Sequence, residues 1–244
     1  MATPKAALRR LRKLGIYRVV AVANAAVLYR DPAEADAELL RLRTQEAESL
    51  AAVVTVCPAL PGWERDLERA LQSGAAGVRL LPSYHGYSLL SGLVRQTLAL
   101  LTDNGVPLVL PLRVEDERHQ HPACTVPALT PDTVLQWLGS VKPQIPIVLQ
   151  MGRFEEWRRI ARELGKDAPV YFDLSFVNGP DGALETLADL VTPARLLFGT
   201  RFPLQYPEAK LEQLVLADLA EEDKQMIGQR NAEALFFHRG EQGR

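Results

Sequence analysis

The sequence has 244 residues, a formal net charge of −2, 47% hydrophobic and 24% charged residues, the profile of an ordinary globular chain with a sizeable core. That balance gives no electrostatic reason to expect nucleic acid or an anionic membrane as a partner, and no apolar run approaches the ~20 residues of a membrane span. Cys57 and Cys124 share no metal-type spacing and read as free thiols, while residues 1–13 are basic but lack the apolar core of a secretion signal, so a cytoplasmic protein is expected.

Taken in order, residues 5–14 form a short basic helix closed by Gly15, and the apolar run 17–22 is a strand. Asp31-Pro32 opens a long helix to about residue 49, and 51–56 is the next strand. The alternation continues with a helix over 63–72, a strand over 77–82, a helix over 91–103 and a strand over 107–113. A long polar loop at about 114–130 follows, of a length that is usually functional or disordered. Beyond it the pattern predicts a helix to 141, a strand over 145–150, a helix over 154–164, a strand over 169–174 and a helix over 181–190. A strand then begins at Arg195 in the stretch 195–203, and helices fill 207–237.

The strands are short, apolar on both faces and separated by amphipathic helices, as in βαβ units with a parallel sheet. About seven are counted, where the commonest closed barrel has eight. No linker divides the chain, so one α/β domain over 1–244, a (β/α) TIM-like barrel, is expected.

Three stretches carry a family likeness. Residues 74–82 followed by His85-Gly86-Tyr87, the stretch Leu196-Leu197-Phe198-Gly199-Thr200-Arg201-Phe202-Pro203, and the helix with Asn231-Ala232-Glu233-Ala234-Leu235-Phe236 together resemble the amidohydrolase-related, metal-dependent hydrolase family. The resemblance implies a barrel that hydrolyses or decarboxylates small molecules through a divalent ion, often zinc. The metal would be held by a His-x-His pair ending the first strand, a histidine on a middle strand and the aspartate of a Gly-Ser-Asp-Phe-Pro motif ending the last. Here the sequence departs from the pattern: no His-x-His stands near the N-terminus, the first strand looks missing, and Arg113, Gln150 and Arg201 occupy the other strand ends. Arginine cannot shed its proton at working pH and cannot ligate a cation. A dismantled metal site, with no cofactor, is the expectation, and a degenerate, pseudoenzyme-like member of the family follows from it.

Several groups remain at the strand ends. Arg79, Arg113 and Arg201 end three different strands, where planar guanidinium forks hold a carboxylate or phosphate bidentately, and Gln150, Tyr84 and Arg118 are further candidates to line such a pocket. The alternative is that these arginines pair with Glu115, Asp116 and Asp173. The loop holds Glu115, Asp116, His119 and His121, either a rebuilt zinc or acid-base site of an active hydrolase or a solvated charged loop. His85 is either an acid, base or donor at the mouth or part of an aromatic turn on the rim, and Asp173 either positions a ligand or accepts from a neighbouring arginine. The free strand edges predict either cover by a terminal helix or a homodimer.

Overall fold

The computed structural model describes residues 3–237; the first two and last seven residues of the expected domain 1–244 lie outside the described residues. Seven strands alternate with helices: β1 (Val19–Val22), β2 (Leu50–Val56), β3 (Gly77–Leu80), β4 (Leu108–Pro111), β5 (Ile147–Gln150), β6 (Val170–Asp173) and β7 (Leu196–Leu197). The helices are α1 (Pro4–Lys13), α2 (Pro32–Gln45), α3 (Trp63–Gln72), α4 (Pro82–His85), α5 (Gly92–Asp103), α6 (Pro131–Val141), α7 (Phe154–Leu164), α8 (Ala183–Val191), α9 (Pro207–Leu216), α10 (Glu221–Gln225) and α11 (Asn231–Phe236). Their starts follow from local chemistry. Thr3, Asp31, Ser91 and Thr130 each accept a backbone N–H of the first turn, and Pro4, Pro32 and Pro131 stand where a missing N–H costs nothing.

The strands lie side by side in chain order, every pair parallel. Alternate residues face opposite ways. One set, among them Val54, Val78, Leu108, Leu110, Ile147, Leu149, Phe172 and Leu196, packs under the helices with Trp63, Trp137 and Trp157 in the larger core. The other set, Val20, Val22, Ala51, Val53, Val109, Val148, Tyr171 and Leu197, comes from six of the seven strands and meets in a second, inner cluster. Side chains of β1 and β7 can share that cluster only if the sheet is curled, so the architecture is an abbreviated TIM-like barrel.

The curled sheet is not closed by strand pairing, since among the described residues β1 and β7 have one strand neighbour each. A terminal helix covers the gap. The Asn231 amide donates to the carbonyls of Pro193 and Leu196, both at 2.8 Å, and the Phe198 N–H donates to the Ile227 carbonyl at 3.0 Å. Ile227 lies in a π-helical turn, Met226–Arg230, whose altered bonding leaves a carbonyl for this purpose. On the other flank Glu233 pairs with Arg18, beside β1, at 2.8 Å. Leu235 and Phe236 enter the inner cluster, and a Cβ on Gly77, the first residue of β3, would stand 3.1 Å from the Phe236 ring. Phe236 therefore plugs the N-terminal end of the barrel, and the polar groups are left at the other end.

The stretch at 195–203 is less regular than its composition suggests. Only Leu196–Leu197 is strand, preceded by a 3-10 turn at Pro193–Arg195. The buried Arg195 side chain fixes the entry, donating to the carbonyls of Val191, Ala168 and Gly165.

Candidate anion site at the strand C-termini

At the end of β4 the Arg113 side chain turns inward and is 3% exposed. Its Nε donates to Glu117 at 2.7 Å, its Nη1 to the Met151 carbonyl at 2.6 Å and to Glu156 at 2.7 Å, and its Nη2 to the other Glu156 oxygen. Every nitrogen is engaged by protein acceptors. The expectation that Arg113 binds a ligand is corrected: its donors are spent on holding the loop after β4 to the start of α7. The expected partners are corrected too, because Glu117 and Glu156, not Glu115 or Asp116, neutralise it.

Asp116 instead accepts from Arg118 Nε at 3.0 Å, Arg118 Nη2 at 2.7 Å and the Arg118 backbone N–H at 3.0 Å, with Arg153 at 3.4 Å. The Arg118 side-chain bonds hold its carboxyl well below the usual carboxylate range, so it stays ionised and is a poor proton acceptor. Gln120 ties the loop to itself by a two-way bond with the Val126 backbone, 3.1 and 2.9 Å. Glu115, His119 and His121 are exposed, and His121 Nδ1 accepts only the Ala123 N–H at 3.1 Å. The loop does not bring Glu115, Asp116, His119 and His121 together as a ligand set: among the described residues no group of three or more His, Cys, Asp or Glu is arranged to hold an ion.

Arg79, on β3, is 4% exposed and donates Nε and Nη2 to the Thr55 hydroxyl at 3.0 and 2.8 Å, and Nη2 to the Ala23 carbonyl at 2.8 Å. No carboxylate among the described residues lies within ion-pair distance of it, and burial pushes its pKa down to about 10. His85, on the short α4, has both ring nitrogens buried, with the Ala26 backbone nearby but no well-aligned hydrogen bond among the described residues, and burial lowers its pKa below the ordinary value. The Tyr84 hydroxyl is buried beside Gln120 and the Val114 and Glu115 backbone, without a well-aligned hydrogen bond among the described residues. Gln150, the last residue of β5, is partly exposed and faces inward with Val148.

At β6 and β7 the chemistry is different. Asp173 is buried, its Oδ1 accepting the Ser175 N–H at 2.9 Å, and burial raises its pKa against the opposing pull of Ser175, Lys210 and Arg201. Trp157 Nε1 donates to the Asp173 carbonyl at 3.0 Å and fixes the strand end. A Cβ on Gly199 would come within 2.5 Å of Asp173 Oδ2, so only glycine lets the last strand pass this carboxylate. Two residues on, Arg201 has φ +52°, a left-handed conformation that is costly for a residue with a Cβ. Its guanidinium makes one long bond, 3.4 Å to the Val114 carbonyl, and stacks at 5.1 Å on the Phe176 ring. No carboxylate among the described residues pairs with it, and burial lowers its pKa.

Phe176 was not indicated by the sequence, yet Arg113 and Arg153 also stand over its ring, at 5.8 and 6.0 Å. It walls a cavity of about 590 Å³ with Asp116, Glu117, Arg118, Arg153, Asn178 and neighbouring backbone. Lys210, also missed, is buried and donates to the Val177 carbonyl at 2.6 Å, Asn178 at 2.9 Å and Gln213 at 3.0 Å. Burial brings its pKa down to about 8. A lone lysine in an amphipathic helix carries no sign of this; the signal for Phe176 is an apolar residue directly after a strand-end Asp-Leu-Ser.

The sequence matches the profile of the family described as Amidohydrolase over residues 4–237. The chain belongs to the amidohydrolase family. No curated protein matches it by sequence. Among solved structures, this amidohydrolase-family chain is similar to 2,6-dihydroxybenzoate decarboxylase from Rhizobium, with TM-score 0.72 and 16% identity over 97% of this chain and 88% of that one. It is also similar to a TIM-barrel protein from Bordetella bronchiseptica, TM-score 0.74 and 20% identity over 96% and 82%. A probable 2-pyrone-4,6-dicarboxylic acid hydrolase from Acinetobacter baumannii with citric acid bound gives TM-score 0.70 and 14% identity over 96% and 89%. At these identities the likeness carries the fold. No described helix is long and apolar enough to cross a membrane.

Proposed function

We propose that this amidohydrolase-family barrel binds a small anion, a carboxylate or phosphate, at the C-terminal ends of its strands and does so without the family's divalent metal. One observation carries the reading: Arg201 stands where the family's aspartate ligand is expected, strained, half-buried and, among the described residues, without a carboxylate at ion-pair distance. A desolvated cation with so little compensation favours an incoming anion, and a fork at the barrel mouth suits a planar carboxylate. Arg79 is a second guanidinium with no carboxylate at ion-pair distance among the described residues, Asp36 acting on it from across Thr55, and Gln150 supplies a partly exposed amide on a strand between. The family's metal does not fit these positions, since arginine nitrogens carry no lone pair for a cation. Similar structures bearing aromatic carboxylate and dicarboxylate names agree with an anionic ligand in kind.

The test is a calorimetric titration of the metal-free protein with benzoate, succinate and inorganic phosphate, repeated on Arg201→Gln and Arg79→Gln. Saturable binding by the wild type, lost at least tenfold in Arg201→Gln, is the expected result. Equal binding by all three proteins overturns it. Elemental analysis of protein purified without added metal is expected to find no stoichiometric zinc, iron or manganese.

A further inference from the structure

Among the described residues Lys210, on α9, is the only buried lysine, and each acceptor it meets is a neutral oxygen: the Val177 carbonyl at 2.6 Å, Asn178 Oδ1 at 2.9 Å and Gln213 Oε1 at 3.0 Å. Three acceptors use all three donors of an ammonium, whereas a neutral amine has only two. A buried ammonium held by neutral oxygens alone is a costly fastening, because the charge loses its hydration and touches no counter-charge. A neutral side chain could tie α9 to the turn after β6, so the tie alone does not account for the charge.

Where the tie lands does account for it. Val177 and Asn178 directly follow Phe176, the ring on which the Arg201 guanidinium stacks at 5.1 Å, and Phe176 and Asn178 both wall the cavity of about 590 Å³. Lys210 also feels the charge of Arg201, which works against its protonation, and that of Asp173, which works for it. We infer that Lys210 is a positioning residue of the anion site: its ammonium fixes the turn at 176–178 that carries the ring under Arg201 and adds a second positive charge near the guanidinium, so the site holds an anion well only while Lys210 is protonated. This rests on the anion reading proposed above. The charged groups that act on Lys210 are Asp173 on β6 and Arg201 after β7; on α9 itself Glu208 is turned to Arg10 and Glu212 is exposed, and Glu185 on α8 accepts the Asp218 N–H. Burial brings Lys210 down to about 8, so the anion is held below that pH and less tightly as pH rises through it, and a bound anion in turn pushes the lysine's titration upward.

The probe is benzoate, titrated calorimetrically at constant ionic strength from pH 7 to pH 9.5 into the wild type, Lys210→Arg and Lys210→Met. The titration of Lys210 itself is followed in the wild type by NMR of 13Cε-labelled lysine, with and without benzoate. Affinity of the wild type is expected to fall by about threefold or more across that range, the scale of one nearby charge removed. Lys210→Arg, whose guanidinium keeps its proton, is expected to bind with a flat pH profile, and Lys210→Met to bind weakly throughout. The Lys210 resonance is expected to titrate at higher pH with benzoate bound, a readout that stands even if neither variant folds. A Lys210→Arg profile as steep as that of the wild type, or a Lys210 titration that benzoate does not move, makes the lysine a structural tie only and overturns the inference while leaving the anion reading in place. Absence of saturable benzoate binding by the wild type at pH 7 overturns both.

Discussion

Two arginines, Arg113 after β4 and Arg201 after β7, end strands of the same barrel at the same end, yet they are opposites. Arg113 meets two carboxylates and a carbonyl and welds the loop at 114–130 to α7. Arg201 meets a ring face and one distant carbonyl. Residue type and strand-end position are shared, so what separates structure from function here is whether neighbouring elements bring acceptors. The loop after β4 and the start of α7 supply Glu117 and Glu156; the turn after β6 supplies Phe176.

The sharpest way to break this contrast is to delete each guanidinium. Arg113→Met strips Glu156 of its guanidinium and leaves Glu117 with Arg153 alone, and it is expected to destabilise the fold by about 3 kcal/mol in urea unfolding, the scale of a broken buried pair. Arg201→Gln relieves a desolvated charge and is expected to change stability by less than about 1 kcal/mol, or to raise it, while removing the response to anions. Equal losses in the two variants would erase the distinction.

Acid and base distinguish the two halves more finely. Asp116, lowered by Arg118, carries stability that is present above an unfolded pKa of about 4 and is lost as pH falls through its folded value. Asp173, raised by burial, contributes with the opposite sign: full below about pH 4 and lost as pH rises through its folded value. Urea midpoints measured across pH are therefore expected to fall less steeply above pH 4 in Asp173→Asn, which keeps an acceptor for Ser175, and to lose part of the acid-side decline in Asp116→Asn. The smallest effect belongs to Arg118→Ala. Its side chain is 79% exposed, so the urea midpoint at pH 7 is expected to fall only slightly, by the part of the Asp116 acid dependence that the Arg118 side chain supplies over its backbone N–H and Arg153.

The fold was legible because its signals are local. Asp31-Pro32, Thr130-Pro131 and the apolar runs at 51–56 and 145–150 each specify an element through capping or periodicity, and the structure has a helix or strand at each, Pro32–Gln45 stopping about four residues short of the expected end and Ile147–Gln150 starting two residues late. The family likeness at 196–203 and 231–236 was legible for the same reason. Site chemistry was not, because it depends on who meets whom. Nothing near Arg113 in sequence announces Glu156, 43 residues away, and nothing near Arg201 announces Phe176. The arginines were visible as candidates; their assignment to weld or receptor required the packing of loops that carry no periodic signal.

The cover over the gap between β1 and β7 has a consequence for how the chain is made. Arg18 and Glu233 are 215 positions apart, and the inner cluster needs Leu235 and Phe236. During synthesis every βα unit can therefore form and stack while the interior stays open at one end, and no intermediate lacking α11 can seal the β7 edge. Assembly of this barrel is expected to finish late and all at once, with the exposed edge and unplugged interior as the species most prone to misassociation before then.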